Sequence, residues 1–260
     1  MMKITVLGSG SSGGVPLIGC SCDVCLSTNP KDKRTRTSVY VEYRGKAILI
    51  DASPDLRQQA LREQITKIDS ILFTHAHADH TLGVDEIRAF NRIADASIDM
   101  YTNAETLEEL KQRFHYAFLD PIREYGWFRT SLIPHIIEDE STFDLTSDIT
   151  VHSFPQSHGS TTTLGYRIDN FAYSTDTNFI DEKYLEQLHG IDLWLVDCLS
   201  YKPAPTHAHL DLALEWIEKV KPKKAVLIHM GHEIGHEDIT KKLEAYPHVE
   251  VSYDGMQITC

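Results

Sequence analysis

The sequence predicts an α/β protein built on two mixed sheets flanked by helices. Two observations carry that reading. Short β-rich runs bounded by polar or glycine-bearing breaks intermix with helical segments along the chain, and hairpin-like runs occur beside β-to-α steps, which fits a doubly wound parallel sheet less well. The first strands are "KITVLG", "SVYVEY" and "KAILID". "PDLRQQALREQ", from Pro54 to Gln64, reads as a helix, and "IDSILFT" as a buried strand ending at Thr74. Later strands fall at "DITVHSF", "LGYRID", "FAYST", "LWLVD", "KAVLIH", "VEVSYD" and "MQIT". Helices fit "DEKYLEQLH", "LDLALEWIEKV" and "EDITKKLEAY"; in the second, Leu212, Ala213, Trp216, Ile217 and Val220 mark one apolar stripe. Residues 102–128 are helical and crowded with aromatics (Phe114, Tyr116, Phe118, Tyr125, Trp127 and Phe128), which reads as local core, as a cap over a site, or as a subunit interface.

The chain has 260 residues, 42% of them hydrophobic and 24% charged, enough to bury a full core and too apolar for a disordered chain. Without an internal repeat, low-complexity tract or linker, one domain over 1–260 is the simplest organisation. The net charge of −13 opposes broad binding to nucleic acid or to an anionic membrane. No apolar run approaches the roughly 18 residues of a membrane span. The opening "MMKITVLGSG" has too short an apolar core for a signal peptide, so the expected location is the cytoplasm. Five cysteines, three of them at Cys20, Cys22 and Cys25, do not resemble a disulfide framework and point to metal binding instead.

Gly8-Ser9-Gly10-Ser11-Ser12-Gly13 matches the spacing of a dinucleotide fingerprint, but no helix follows it. "GVPLIGCSC", with Pro16, Gly19 and its thiols, cannot present a helix N-terminus to a pyrophosphate. These glycines are expected to let the backbone turn tightly near a site.

The strongest chemical signal is Thr74-His75-Ala76-His77-Ala78-Asp79-His80, directly after an apolar strand. In an extended chain residues i and i+2 face the same side, so His75 and His77 can grip one metal, while Asp79 and His80 reach a second where the chain turns into a helix. Further donors stand at later strand ends: His158, Asp176 and His229. Neutral imidazoles with one bridging carboxylate suit Zn²⁺, Mn²⁺ or Fe²⁺ and leave room for solvent. Cys20, Cys22 and Cys25 form most of a closed tetrahedral zinc site, for which His232 is the best fourth ligand, with His236 and Cys198 as alternatives.

This pattern resembles the metallo-β-lactamase superfamily, whose signature is HxHxDH followed by a distant His, an Asp and a final His; the match runs from "KAILIDASPD" through "HAHADH", "SHG", "YSTDT" and "IHMGH". The resemblance implies a four-layer αβ/βα sandwich. It implies that His75, His77 and His158 hold one metal, that Asp79, His80 and His229 hold the other, and that Asp176 bridges them. Asp51 looks like the family's acid that orients a ligand through its free N–H. With "GSGSSGGVPLIGCSCDVC", the set resembles the phosphoribosyl 1,2-cyclic phosphate phosphodiesterases of the carbon–phosphorus lyase pathway, which carry the extra zinc loop, here residues 19–26.

The expected cofactors are therefore two divalent ions, Zn or Mn, in the active site and one structural Zn. The expected substrate is a small cyclic phosphodiester, attacked in line by a metal-bridging hydroxide. A histidine of "THAHLDLALEW" assists at the phosphate in related enzymes; by motif position His209 is favoured over His207, beside Asp79 among the catalytic residues, with Asp211 as a helix N-cap. Arg34 and Arg36, with Lys31 and Lys33 nearby, are candidate phosphate contacts. The alternatives are a tRNA 3′-processing endonuclease, which typically lacks the cysteine triplet and carries a basic arm, a lactone or thioester hydrolase on the same metals, and a metal-binding protein with little catalysis. A membrane or nucleic-acid partner is not expected; a homodimer is compatible with the resemblance.

Overall fold

The computed structural model describes residues 1–120 and 129–260. The first sheet takes β1 (Lys3–Gly8), β2 (Ser38–Tyr43), β3 (Lys46–Ile50), β4 (Ser70–Leu72), β5 (Ile98–Thr102) and β6 (Leu132–Ile136). The second takes β7 (Ser141–Thr146), β8 (Ile149–His158), β9 (Thr161–Ile168), β10 (Phe171–Ser174), β11 (Leu193–Asp197), β12 (Lys224–Ile228) and β13 (Val249–Val251), after which β14 (Gln257–Thr259) returns to the first. Among the described residues each sheet has seven strands, in the orders β14-β1-β2-β3-β4-β5-β6 and β13-β12-β11-β10-β9-β8-β7. Both are mixed. β1, β2 and β3 pair antiparallel and β3 to β6 parallel; β7 to β10 pair antiparallel and β10 to β13 parallel.

Alternation along the strands builds the inner core. Ile4, Val6, Val39, Val41, Ile48 and Ile50 face Tyr166, Ile168, Phe171, Tyr173, Leu195 and Val226 across the two sheets. The opposite faces are covered by helices α1 (Asp23–Leu26) to α8 (His236–Lys242) and the loops between them. On the first sheet, α2 (Leu56–Arg62), α4 (Arg88–Ala94) and α5 (Ala104–Arg113) seal Leu49, Ile71 and Met100 with Leu56, Phe90, Leu107 and Leu110. On the second, α6 (Glu182–Gln187), α7 (Leu210–Val220) and α8 cover Trp194, Val196 and Leu227. The buried stripe of α7 runs Leu210, Ala213, Trp216, Ile217, Val220; Leu212, expected in it, is only partly buried. Helix, sheet, sheet, helix is the metallo-β-lactamase sandwich.

In the aromatic segment, Phe114 is buried and Tyr116 and Phe118 pack partly buried against the core of the first sheet, so its described part is local core. Residues 121–128, with Tyr125, Trp127 and Phe128 of the expected cap, lie outside the described residues. Among the described residues no helix is long and apolar enough to cross a membrane. The first glycines serve close approach. A Cβ on Gly8 would meet the Arg36 carbonyl oxygen at 2.0 Å, and Gly10 pairs with both Arg36 and Met230. The loop thereby lies against the residue that follows His229.

Candidate metal centre

The site assembles where strands of both sheets end. β4 delivers His75 and His77, and the short α3 (Ala78–Thr81) carries Asp79 and His80. β8 ends on His158, β10 leads into Asp176, and β12 into His229. Donor atoms of His75, His77, His158 and Asp176 lie within 4.8 Å of one another, and so do those of Asp79, His80, Asp176 and His229. Asp176 belongs to both groups. All seven of the histidine and carboxylate positions expected from the sequence therefore converge.

The surroundings orient each ring. His80 Nδ1–H donates to Asp51 Oδ2 at 2.7 Å, His158 Nδ1–H to the Thr206 carbonyl at 2.7 Å, and His75 Nδ1 lies 2.9 Å from Thr74 Oγ1. The Thr74 N–H and Oγ1–H in turn donate to the Asp51 carboxylate, which is fully buried. These bonds leave the Nε2 atoms to face inward. His75 Nε2, His80 Nε2, His229 Nε2 and Asp79 Oδ2 are buried with no hydrogen-bond partner, although His80 Nε2 is only 3.1 Å from Asp176 Oδ1. Enclosed polar atoms aimed at one another without bonding are costly unless something else satisfies them. A pair of divalent cations fits that requirement and this mixed imidazole–carboxylate donor set.

The protein's own electrostatics already mark places for positive charge. Burial opposes charge on His80, but Asp176, Asp51 and Asp79 outweigh it and hold its pKa well above the usual range. Burial likewise opposes charge on His229, which Asp176, Asp79 and Asp197 nevertheless push up to about 9. Asp176, despite complete burial, is held far below the ordinary carboxylate range by His229 and His80. His75 and His158 are depressed, chiefly by burial.

Asp197, not singled out in the sequence, is the principal addition. Its Oδ2 accepts from Thr177 N–H at 3.0 Å, Ala208 N–H at 3.3 Å and His207 Nδ1 at 3.1 Å, and its Oδ1 stands 3.7 Å from His229 Nδ1. The signal was present: an acid closes the apolar strand "LWLVD" as Asp51 closes "AILID". His207 stacks on His229 at 4.9 Å and meets His158 edge-on at 4.6 Å. His209 is the residue preceding α7, bridged through its backbone to Ser200, and makes no ring contact with the histidine cluster among the described residues. Asp211 lies inside the first turn of α7 and is not its N-cap.

Cys20, Cys22, Cys25 and His232 place their donor atoms within 4.8 Å of one another, with His232 Nδ1 at 3.4 Å from Cys20 Sγ and 3.5 Å from Cys22 Sγ. The Cys22 thiol is lowered to about 6, first by a backbone bond from Cys25 and then by His232, whereas burial raises Cys25. The two alternatives stand elsewhere: Cys198 in the core of the second sheet, His236 edge-on to Tyr253.

Arg34 is likewise corrected. Its side chain is fully buried, donating to the Gly231 and Ile234 carbonyls and pairing with Asp32 at 3.3 Å, so it braces the His232 loop and offers nothing to a ligand. Arg36 remains partly exposed, with Nε 3.0 Å from Asp55.

Fold and site together define a metal-dependent hydrolase of the metallo-β-lactamase type. The comparisons agree: residues 46–230 match the family model "Beta-lactamase superfamily domain", and the chain belongs to that superfamily. A crystal structure of a diphosphatase of the PhnP family superposes with a TM-score of 0.90 at 40% identity, covering 100% of this chain and 98% of that one. An octanoyltransferase of Porphyromonas gingivalis is 35% identical over 98% of this chain but 51% of its own length, so the chain spans about half of that relative. Zn²⁺-bound PqqB from Methylobacterium extorquens shares the fold, with a TM-score of 0.79 at 18% identity over 99% of this chain and all of that one.

Proposed function

We propose that this protein is a phosphodiesterase acting on a small cyclic phosphodiester through two divalent ions held by His75, His77 and His158 on one side and Asp79, His80 and His229 on the other, with Asp176 between them. The observation that carries the reading is the shared carboxylate: one aspartate belongs to both donor groups, so two cations would stand side by side, the arrangement suited to in-line displacement at phosphorus. Bound there, divalent ions would supply Lewis acidity, acidifying water and offsetting charge on the phosphate. The chain's own residues do the rest. Asp51 and the Thr206 carbonyl fix the tautomers of His80 and His158. His207, held through Nδ1 by Asp197, turns its other nitrogen away from that carboxylate and serves as proton donor to the departing alkoxide. Of the two arginines singled out, the partly exposed Arg36 is the one given to a phosphate oxygen.

The cysteine loop with His232 would hold a structural zinc, a closed four-donor set with no place for solvent. Phosphoanhydride cleavage is the second reading, favoured by the 40% identical relative that is described as a diphosphatase. The net charge of −13 weighs against an RNA substrate. Metal analysis combined with turnover on cyclic and linear phosphodiesters, phosphoanhydrides, lactones, thioesters and RNA tests the proposal. Preferred hydrolysis of anything but a small phosphodiester, at matched metal content, refutes it.

A further inference from the structure

Three of the ligand rings have a bonded partner at Nδ1: Asp51 for His80 at 2.7 Å, the Thr206 carbonyl for His158 at 2.7 Å and the Thr74 hydroxyl for His75 at 2.9 Å. His229 differs. Both of its ring nitrogens are buried, and neither has a hydrogen-bond partner among the described residues. Its Nε2 belongs to the donor group, 3.3 Å from Asp176 Oδ1 and 3.5 Å from Asp79 Oδ2. Its Nδ1 stands 3.7 Å from Asp197 Oδ1, an oxygen that is likewise buried and unpartnered. A donor and an acceptor that both lack partners, enclosed side by side, act chiefly on each other.

The fold brings them together. β11 and β12 pair in parallel with Asp197 opposite Ile228, so the acid that closes one strand neighbours the ligand that follows the other. Cys198 N–H donates to the Ile228 carbonyl at 3.0 Å and keeps the two strand ends in step. The other carboxylate oxygen is fully engaged: Oδ2 accepts from Thr177 N–H at 3.0 Å, Ala208 N–H at 3.3 Å and His207 Nδ1 at 3.1 Å. Asp51 divides its oxygens in a similar way, taking Thr74 N–H on Oδ1 at 2.8 Å and the His80 ring on Oδ2. Backbone donors thus clamp each acid at a strand end and leave an oxygen to face a ligand ring.

We propose that Asp197 is a positioning residue for His229 as well as for His207: its Oδ1 keeps the ring proton on His229 Nδ1, so that Nε2 stays free to bind a metal. This rests on the two-ion reading of the centre but not on the choice of substrate. Asparagine at 197 inverts the polarity that His229 meets. Three donors hold the side-chain oxygen at the Oδ2 position, so the amide NH₂ must take the place of Oδ1 and present a donor to Nδ1. The favoured neutral ring then carries its proton on Nε2, where it blocks the metal.

The test is titration of the full chain with Mn²⁺ after chelation of the active-site ions; Mn²⁺ suits carboxylate and imidazole donors better than thiolates, so the cysteine loop does not compete. The parent should take two ions. Asp197→Asn should weaken one of them about 10–100-fold and the other by less than about threefold. His207→Asn, which removes the other ring on Asp197, should leave both within about threefold of the parent. Thermal melting of the metal-free forms checks that each variant folds. Parent affinity for both ions in Asp197→Asn overturns the proposal, as does an equal weakening of both, the mark of a merely structural part, or a matching loss in His207→Asn. A parent that takes fewer than two ions refutes instead the two-ion reading beneath it. If Asp197→Asn does not fold, ¹⁵N-histidine spectra of the zinc-loaded parent decide: His229 should be bound through Nε2 with its proton on Nδ1, and a His229 without that proton overturns the proposal.

Discussion

Replacing His207 and His209 separately by asparagine discriminates between two histidines that the sequence sets two residues apart. His207 has ring contacts at 4.9 Å with His229 and 4.6 Å with His158, one member of each donor group, so on the proposed reading it would lie beside the scissile phosphate. A positioned acid accelerates a reaction by about 10²–10⁴, so at roughly 1.36 kcal/mol per decade His207→Asn should cost about 2.7–5.5 kcal/mol in the barrier. Asp197→Asn weakens the charge-assisted bond of 3.1 Å that holds the ring, worth about 1.5–3 kcal/mol, and also removes the charge beside His229, so it should cost at least roughly 10–150-fold. His209→Asn should stay within a few-fold of the parent.

The assay is kcat on two phosphodiesters that differ in leaving group, one an alkoxide and one a nitrophenolate, with metal content measured in every variant. Nitrophenolate departs without a proton, so the His207→Asn loss should be full for the alkoxide and shrink to less than about tenfold for the nitrophenolate. Equal losses on both substrates, or a larger loss for His209→Asn, would refute the role given to His207.

Asp51→Asn should keep the fold but weaken metal binding about 10–100-fold, read by titration against a chelator, because His80 loses the anion that orients it. Cys20→Ser should release one equivalent of zinc and lower the melting temperature while the catalytic metals stay, which elemental analysis before and after chelation would check. The metal-stripped protein should lose stability as pH rises from about 6.5 to about 9. His229 is raised to about 9 in the folded state and His80 is raised too, so their protonated forms stabilise the fold below the unfolded value near 6.5, and that contribution is lost as pH climbs through the folded value. His75 is depressed and has already lost its proton below that window. Melting curves of stripped and metal-loaded protein across the range should diverge toward alkaline pH; parallel curves would contradict this reading.

The fold was legible wherever an apolar period was strong. β1, β2, β3, β8 to β14 and helices α2, α6, α7 and α8 stand near where their patterns put them. The strands that escaped notice, β5, β6 and β7, are weakly patterned, and β6 and β7 form sheet edges. β6 contains Pro134, which denies the ladder a donor and is tolerated because, among the described residues, β6 has a neighbour on one side only. β7 alternates half-buried and exposed residues, so little apolar contrast exists for a sequence to display. The metal ligands were legible because donor chemistry restricts residue types. For Asp197 the strand-end acid was visible, but its pairing with His207 and Ala208 N–H, ten and eleven residues further on, was not. Arg34 misled for a related reason. In sequence it belongs to a charge run, whereas in the fold two carbonyls and Asp32 offset the cost of burying its guanidinium.

Backbone conformation separates function from folding at this site in a way composition does not. Among the described residues, eight non-glycine positions adopt positive φ: Arg44, Asp51, Gln64, Asp95, Asp169, Asp176, Lys221 and His229. Five of them are exposed, in turns or at helix ends, where the left-handed conformation reverses or ends the chain. Asp51, Asp176 and His229 are buried, each just beyond the carboxyl end of a strand, at φ values of 60°, 50° and 59°. Glycine would relieve the strain at all three, yet each position carries a donor or the acid that orients one. The strand ends are bent into an unfavourable region so that side chains from β3, β10 and β12 turn toward a common point. The bend brings His229 Nε2 within 3.3 Å of Asp176 Oδ1 yet leaves that nitrogen buried without a hydrogen-bond partner, the deficit a cation would fill.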